Sequence, residues 1–226
     1  MPEGIIARRS REMKYNTYLF DFDGTLVDSM PAFVSALVKI LDENGIPYNS
    51  DTIKAVTPLG YAGTAKYFKE RGIKMSESEM VMLLKKYSYN EYENNIPAKP
   101  NVIKVLKTLK NSGASLNILT ACPHTLLDMC LRRLGIYDLF CNIWSCDDFM
   151  MSKTDPRIYL SAAMRLGCEA GEILFLDDNA NADRTAKTAG VKVCGVYDET
   201  SRESADEIKS FADHYIYDFQ ELLGLK

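Results

Sequence analysis

Six glycines cut this chain into helices. Gly45, Gly72, Gly113, Gly135, Gly167 and Gly190 each close a helix-favouring stretch, and the residues behind them are Ile46, Ile73, Ala114, Ile136, Cys168 and Val191. A left-handed glycine followed by a hydrophobic residue is a frequent helix ending. Upstream, apolar residues recur at helical spacing, as in Phe33, Leu37, Ile40 and Leu41, or Leu127, Cys130, Leu131 and Leu134. Pro31, Pro100, Pro123 and Pro156 suit first turns, where a missing N–H costs nothing. Between the helices lie apolar runs of strand length: Tyr18–Phe20, Leu116–Leu119, Ile173–Leu176 and Val191–Cys194, with a weaker run at Asn142–Trp144 and an edge-strand candidate at His214–Tyr217. Strands alternating with helices predict an α/β fold, a Rossmann-like parallel sheet covered on both faces. The alternation breaks once, because residues 30 to 96 read as helices only. The predicted division is a frayed tail over 1–13, an α/β core over 14–29 and 98–226, and an inserted helical subdomain over 30–97.

The length agrees with that division, since 226 residues at about 150 per domain leave room for a core and a small insertion. A net charge of −4 disfavours a broad basic face for nucleic acid. No run of 18 apolar residues exists, so no membrane span is expected. Two histidines, His124 and His214, exclude multi-histidine metal sites, and the six cysteines include no Cys-x-x-Cys pair. The cysteines sit mostly in apolar runs and read as packed thiols of a reducing cytoplasm. The stretch Met1–Glu12 holds three arginines and two glutamates with no apolar run beyond Ile5-Ile6-Ala7, too short for a signal peptide. The frayed-tail reading leaves room for Met13 as an alternative start.

Ligands of open parallel sheets sit beyond the carboxyl ends of the strands. The residues expected there are Asp21-Phe22-Asp23-Gly24-Thr25 after the first strand, Thr120 after the second, Lys153 past the third, and Asp177-Asp178-Asn179 after the fourth. Converging carboxylates raise one another's pKa unless a cation is present. A hard cation with oxygen ligands, Mg²⁺, relieves the repulsion. Asp21 and Asp23, two apart, lean the same way along a strand end. Gly24 permits a sharp turn with backbone amides left to meet an anion. A cation, Lys153, Thr120 and exposed amides together make a phosphate site. An Asp after a strand is also a common helix cap, so Asp177-Asp178 alone decides little; the ordered set of four carboxylates carries the reading.

These residues resemble the motifs of the haloacid dehalogenase-like phosphohydrolases. Phe20-Asp21-Phe22-Asp23-Gly24-Thr25-Leu26-Val27-Asp28-Ser29 looks like the first motif and Ile118-Leu119-Thr120 like the second. Lys153-Thr154-Asp155-Pro156-Arg157-Ile158-Tyr159 resembles the third, and Phe175-Leu176-Asp177-Asp178-Asn179 the fourth. The likeness runs from Tyr15 onward, and the helical insertion is similar to the cap of the phosphoglycolate phosphatase and β-phosphoglucomutase branch. The resemblance implies covalent phosphoryl transfer, with Asp21 as nucleophile and Asp23 as acid and then base. It implies Mg²⁺ held by Asp21, the Asp23 carbonyl, and Asp178 with or without Asp177. Phosphate oxygens would fall to Thr120 and Lys153, with Phe22, Gly24 and Ala121 beside them. The implied partner is a small phosphorylated metabolite, and the chain is expected as a monomer or homodimer.

The first expectation is a Mg²⁺-dependent phosphatase, and the alternative is a phosphosugar mutase. A catalytically silent binding protein predicts loss of Asp21 or Asp23, and both are present; a dehalogenase predicts a non-acidic residue in place of Asp23. The fourth motif departs from the usual pattern: Ala182 stands where an acid is expected, with Asp183 one place later and read as a solvated helix residue. Thr154 replaces the usual proline and leaves the role of Lys153 intact. In the cap, Thr57–Thr64 reads either as a loop facing substrate or as a plain connection. Lys54, Lys66 and Arg71 could meet an acidic substrate but suit a solvated face. Tyr87, Tyr89 and Tyr92 read as packing and surface, Cys122 as a packed thiol, His214 as structural, and His124 as a first-turn residue able to touch substrate.

Overall fold

The computed structural model describes residues 14–225 apart from 57 and 58, so the expected tail over 1–13 lies outside the described residues. Six parallel strands form one sheet: β1 Thr17–Phe20, β2 Ser115–Thr120, β3 Asn142–Ser145, β4 Ile173–Asp177, β5 Lys192–Val196 and β6 His214–Ile216. Their order is β3-β2-β1-β4-β5-β6. The predicted strands are all present, with β6 at the edge. β5 starts one residue later than the apolar run because the Val191 amide still closes the preceding helix on the Ala186 carbonyl at 3.1 Å.

The side chains of the sheet alternate between two cores, as the period-two pleat requires. Tyr18, Phe20, Ile118 and Leu176 face helices α5 (Val102–Asn111) and α6 (His124–Arg133). Leu19, Leu119, Phe175 and Val193 face α7 (Arg157–Leu166) and α8 (Ala180–Thr188). All six helix-closing glycines have positive φ, between 61° and 91°.

The chain between β1 and β2 carries α1 (Met30–Glu43), α2 (Ser50–Val56), α3 (Gly60–Glu70) and α4 (Glu77–Asn94), with no strand among the described residues. These helices bury their own cluster, including Leu37, Ile40, Leu41, Phe68, Met80 and Leu84. A Ser76–Glu79 capping box starts α4. The way in and the way out of the insertion run side by side: the Asp28 amide donates to the Pro97 carbonyl, and the Lys99 amide to Leu26, each at 3.0 Å. A last short helix, α9 (Ala205–Phe211), packs on α8. No helix among the described residues is long and apolar enough to cross a membrane, and all six cysteines are free thiols.

Candidate active site

The strand order reverses at β1, which lies between β2 and β4, and such a switch point is where open α/β sheets leave a crevice. Register does the rest: Phe20 pairs with Ile118 on one side and Leu176 on the other. Asp21 therefore follows β1 beside the end of β4, where Asp177 and Asp178 stand. One carboxylate oxygen from each of Asp21, Asp177 and Asp178 lies within 4.8 Å of the others.

Lys153 enters from the loop before α7 and ties two of these acids, with Nζ 2.7 Å from Asp21 and 2.6 Å from Asp177. Burial opposes its charge, but the Asp177 and Asp21 carboxylates hold its pKa well above the ordinary lysine value. The Tyr159 hydroxyl donates to the Lys153 carbonyl at 3.1 Å and the Ala182 carbonyl at 3.0 Å, anchoring the lysine's loop to α8. Asp177 also accepts the Asn179 amide at 2.8 Å, so both its oxygens have partners and it serves chiefly to orient Lys153. Burial, with Asp21 adding to it, pushes Asp177 up to about 6 against the pull of Lys153. Asp178, which among the described residues accepts a single direct side-chain hydrogen bond, from Thr25 at 3.4 Å, is pushed well up by burial and by Asp177, Asp21 and Asp198. Three hard oxygen donors with one lysine between them are short of positive charge, and that donor set fits Mg²⁺. Gly24, at φ +75°, makes room for Asp178: a Cβ there would come within 2.7 Å of both its oxygens.

Several expectations need correction. The Gly24 amide is not left for an anion, because it donates to the Val27 carbonyl at 3.0 Å in the turn that brings the chain back on itself. Phe22 has a fully buried side chain within the core, leaving only its main chain to face a ligand. Asp183 is not solvated. With Asn179 capping α8, position 183 falls on the helix's inward face beside Ala182 and Ala186, fully buried with neither oxygen hydrogen-bonded. Burial, then Asp177 and Asp178, push its pKa well up. The expected loop Thr57–Thr64 is shorter, since Gly60–Thr64 already form the first turn of α3; Thr57 and Pro58 lie outside the described residues.

Thr120 is buried at the end of β2, and its Oγ1 accepts the Cys122 amide at 3.1 Å, which keeps its own hydrogen for a ligand. Ala121 beside it opens onto a cleft of about 420 Å³. The cleft is walled by Pro123, Thr125, Leu126 and Asp147 of the sheet domain and by Tyr61, Lys85 and Tyr89 of the insertion. Lys85 was not singled out by sequence, because one lysine in a charged helix carries no signal. Lys66, by contrast, pairs with Glu70 at 3.9 Å on an exposed face, and Arg71 lies over the Tyr67 ring.

Tyr92, expected from sequence as packing and surface, donates its hydroxyl to Asp23 Oδ1 at 2.5 Å. Burial is the main cause that raises the pKa of Asp23, against the Tyr92 hydrogen bond and the nearby Ser29 hydroxyl, which lower it. Lys99, also unforeseen, donates to the Gly24 and Tyr197 carbonyls at 2.6 Å each and to Asp198 at 3.0 Å, pinning the β1 loop to the end of β5.

His124 is committed elsewhere. Its ring nitrogens lie 3.0 Å from Asp128 and 2.8 Å from Asp148, and hydrogen bonds to those two carboxylates raise its pKa above the ordinary histidine value. A pKa raised on folding stabilises the native state below the unfolded value, about 6.5, and that stability fades as pH rises through the folded value. His124→Ala is therefore expected to lower Tm at about pH 6, with the gap to the parent closing as the pH rises above the ordinary histidine range, while kcat/KM stays within about twofold, since neither nitrogen is free for substrate. A melt series across pH with parallel kinetics checks both. His214 is structural as expected, with Nε2 2.9 Å from the Tyr15 hydroxyl.

The model of the haloacid dehalogenase-like hydrolase family matches residues 18–196. The chain belongs to this family. As a haloacid dehalogenase-like hydrolase it is similar to the pyrophosphatase PpaX of Bacillus velezensis, 27% identical over 186 residues, covering 82% of this chain and 84% of that protein. It is likewise similar to the phosphoglycolate phosphatase of Salmonella choleraesuis, 28% identical over 202 residues, with 78% and 79% covered. Among solved structures, a predicted phosphoglycolate phosphatase from Haemophilus somnus shares the fold at a TM-score of 0.77, with 23% identity and 93% and 97% of the two chains covered.

Proposed function

We propose that this hydrolase is a Mg²⁺-dependent phosphatase of small phosphorylated metabolites, working through an aspartyl phosphate on Asp21, with residues 30–97 as its cap. The observation that carries the reading is the buried Asp21 carboxylate at the switch point, with Lys153 at 2.7 Å and Asp23 two residues on. The phosphatase and pyrophosphatase names of its relatives support it.

In the first step an Asp21 oxygen bonds to phosphorus while the bond from phosphorus to the leaving oxygen breaks, and Asp23 gives that oxygen its proton. The upward shift of Asp23 favours the protonated form this step needs. In the second step Asp23 takes a proton from water, the water oxygen bonds to phosphorus, and the bond to Asp21 breaks to release phosphate. Lys153 and Thr120 hold the phosphoryl oxygens through both steps. Mg²⁺, bound by Asp21 and Asp178 with the Asp23 carbonyl and Asp177 at hand, would offset the repulsion between carboxylate and phosphate. The cleft under Tyr61, Lys85 and Tyr89 suits a small leaving group, and those residues would choose it.

Phosphate release from 4-nitrophenyl phosphate and from a panel of small phosphometabolites tests the reading. Release that needs Mg²⁺, stops with EDTA and strongly favours one metabolite is the expected result. Isomerisation of a sugar phosphate without phosphate release would replace it with the mutase.

A further inference from the structure

We propose that Tyr92 is a positioning residue for Asp23: from the last turn of α4 it holds one carboxylate oxygen, so that the other is aimed at the oxygen to be protonated. This rests on the acid role proposed for Asp23. The hydrogen bond spans 69 residues of chain and joins the insertion to the loop after β1. Among the described residues it is the one direct side-chain hydrogen bond found to Asp23, although the buried Ser29 hydroxyl and the Cys122 thiol adjoin the same carboxyl.

Tyr92 is itself held firmly. It is 7% exposed, and its ring stacks on Phe22 with centroids 6.3 Å apart. Arg133 at the end of α6 donates from Nε to the Tyr92 carbonyl at 3.1 Å and from Nη2 to the Ile96 carbonyl. A cation over the last carbonyls of a helix is favourable, because that end carries the negative pole of the dipole. The guanidinium thereby fixes the turn of α4 that carries the tyrosine. An unanchored carboxyl rotates freely and offers either oxygen in many directions. With Oδ1 taken by the tyrosine, the remaining oxygen has a defined direction, and proton transfer depends steeply on such alignment. The anchor belongs to the insertion, so the acid is aligned when the end of α4 is docked on α6 as it is here.

The test separates alignment from general damage by varying how much the leaving group needs a proton. Nitrophenolate leaves unaided, phenolate less readily, and an alkoxide hardly at all. The value of kcat/KM reports the steps up to departure of the leaving group, so it is measured for 4-nitrophenyl, phenyl and benzyl phosphate with Mg²⁺. Tyr92→Phe, which keeps the ring, is expected to lose about tenfold or more on benzyl phosphate, and less than about threefold on 4-nitrophenyl phosphate, a fraction of the 10² to 10⁴ that an acid contributes. Arg133→Met loosens the same turn and is expected to steepen the dependence less. Equal losses on all three substrates, no loss, or a gain on benzyl phosphate would overturn the proposal. Asp23→Asn, run on the same series, separates it from the reading beneath: if that variant still turns over benzyl phosphate, the acid role fails, whatever Tyr92 does. Should Tyr92→Phe not fold, the Arg133→Met series decides alone.

Discussion

Asp21→Asn is expected to lower phosphate release by about 10⁴-fold or more, the scale on which a lost nucleophile acts in covalent enzymes, while the far-UV circular dichroism stays that of the parent. Asn has nearly the shape of Asp, so the packing at the end of β1 survives. It does not attack phosphorus as a carboxylate does. The electrostatic changes oppose each other: Lys153 loses a partner at 2.7 Å but keeps Asp177 at 2.6 Å, and a crowded acid set loses one charge. The fold is therefore expected to persist. Turnover by the asparagine variant near the parental rate would refute the covalent step, and an unfolded variant would show at once in the dichroism.

The largest loss of stability is expected from Lys99→Met. The Lys99–Asp198 pair is nearly enclosed, at 15% and 5% side-chain exposure, and the ammonium also satisfies two carbonyls. Methionine fills the space but leaves Asp198 as a buried charge without its cation, a defect worth about 3 kcal/mol. For a chain of this size that is a fall in Tm of roughly 6 to 12 °C. Burial opposes the charge of Asp198, but the Thr200 hydrogen bond and the Lys99 cation hold its pKa below the ordinary value. A pKa lowered on folding stabilises the native state above the unfolded value and ceases to as pH falls through the folded one. The deficit of Lys99→Met should therefore shrink in acid, below about pH 4. Adding Asp198→Asn should recover part of it, because the amide oxygen still accepts the Thr200 amide. Denaturant melts of parent, single and double variants at neutral and acid pH check all three points. A deficit under about 1 kcal/mol at neutral pH would mean that the pair is screened like a surface one.

Legibility followed range along the chain. Strands, helix ends and the helical insertion depend on neighbours within a few residues, through periodicity and glycine stops, and these were readable. The strand-end carboxylates were readable too, because a parallel sheet sends every strand's carboxyl end to one edge. Tyr92 and Asp23 lie 69 residues apart, and Lys99 and Asp198 lie 99 apart. A lone tyrosine or lysine in a polar helix or loop looks the same whether it meets water or a buried acid. His124 misled for the same reason, since the carboxylate of Asp148 arrives from another loop. Asp183 failed on one detail, the phase of α8. With the cap at Asn179 the acid turns inward, and a shift of one residue is a rotation of about 100°.

By itself, then, the amino-acid order determined the α/β class, the all-helical stretch between β1 and β2 and the family to which the chain belongs, because hydrophobic period and residue order are local and survive without coordinates. Only the tertiary structure decided which acids are buried, which way burial and their neighbours push them, and which are held by a partner. Those properties come from burial and from the few ångströms between groups far apart in the chain, and both are created by packing the insertion and the loops against the sheet.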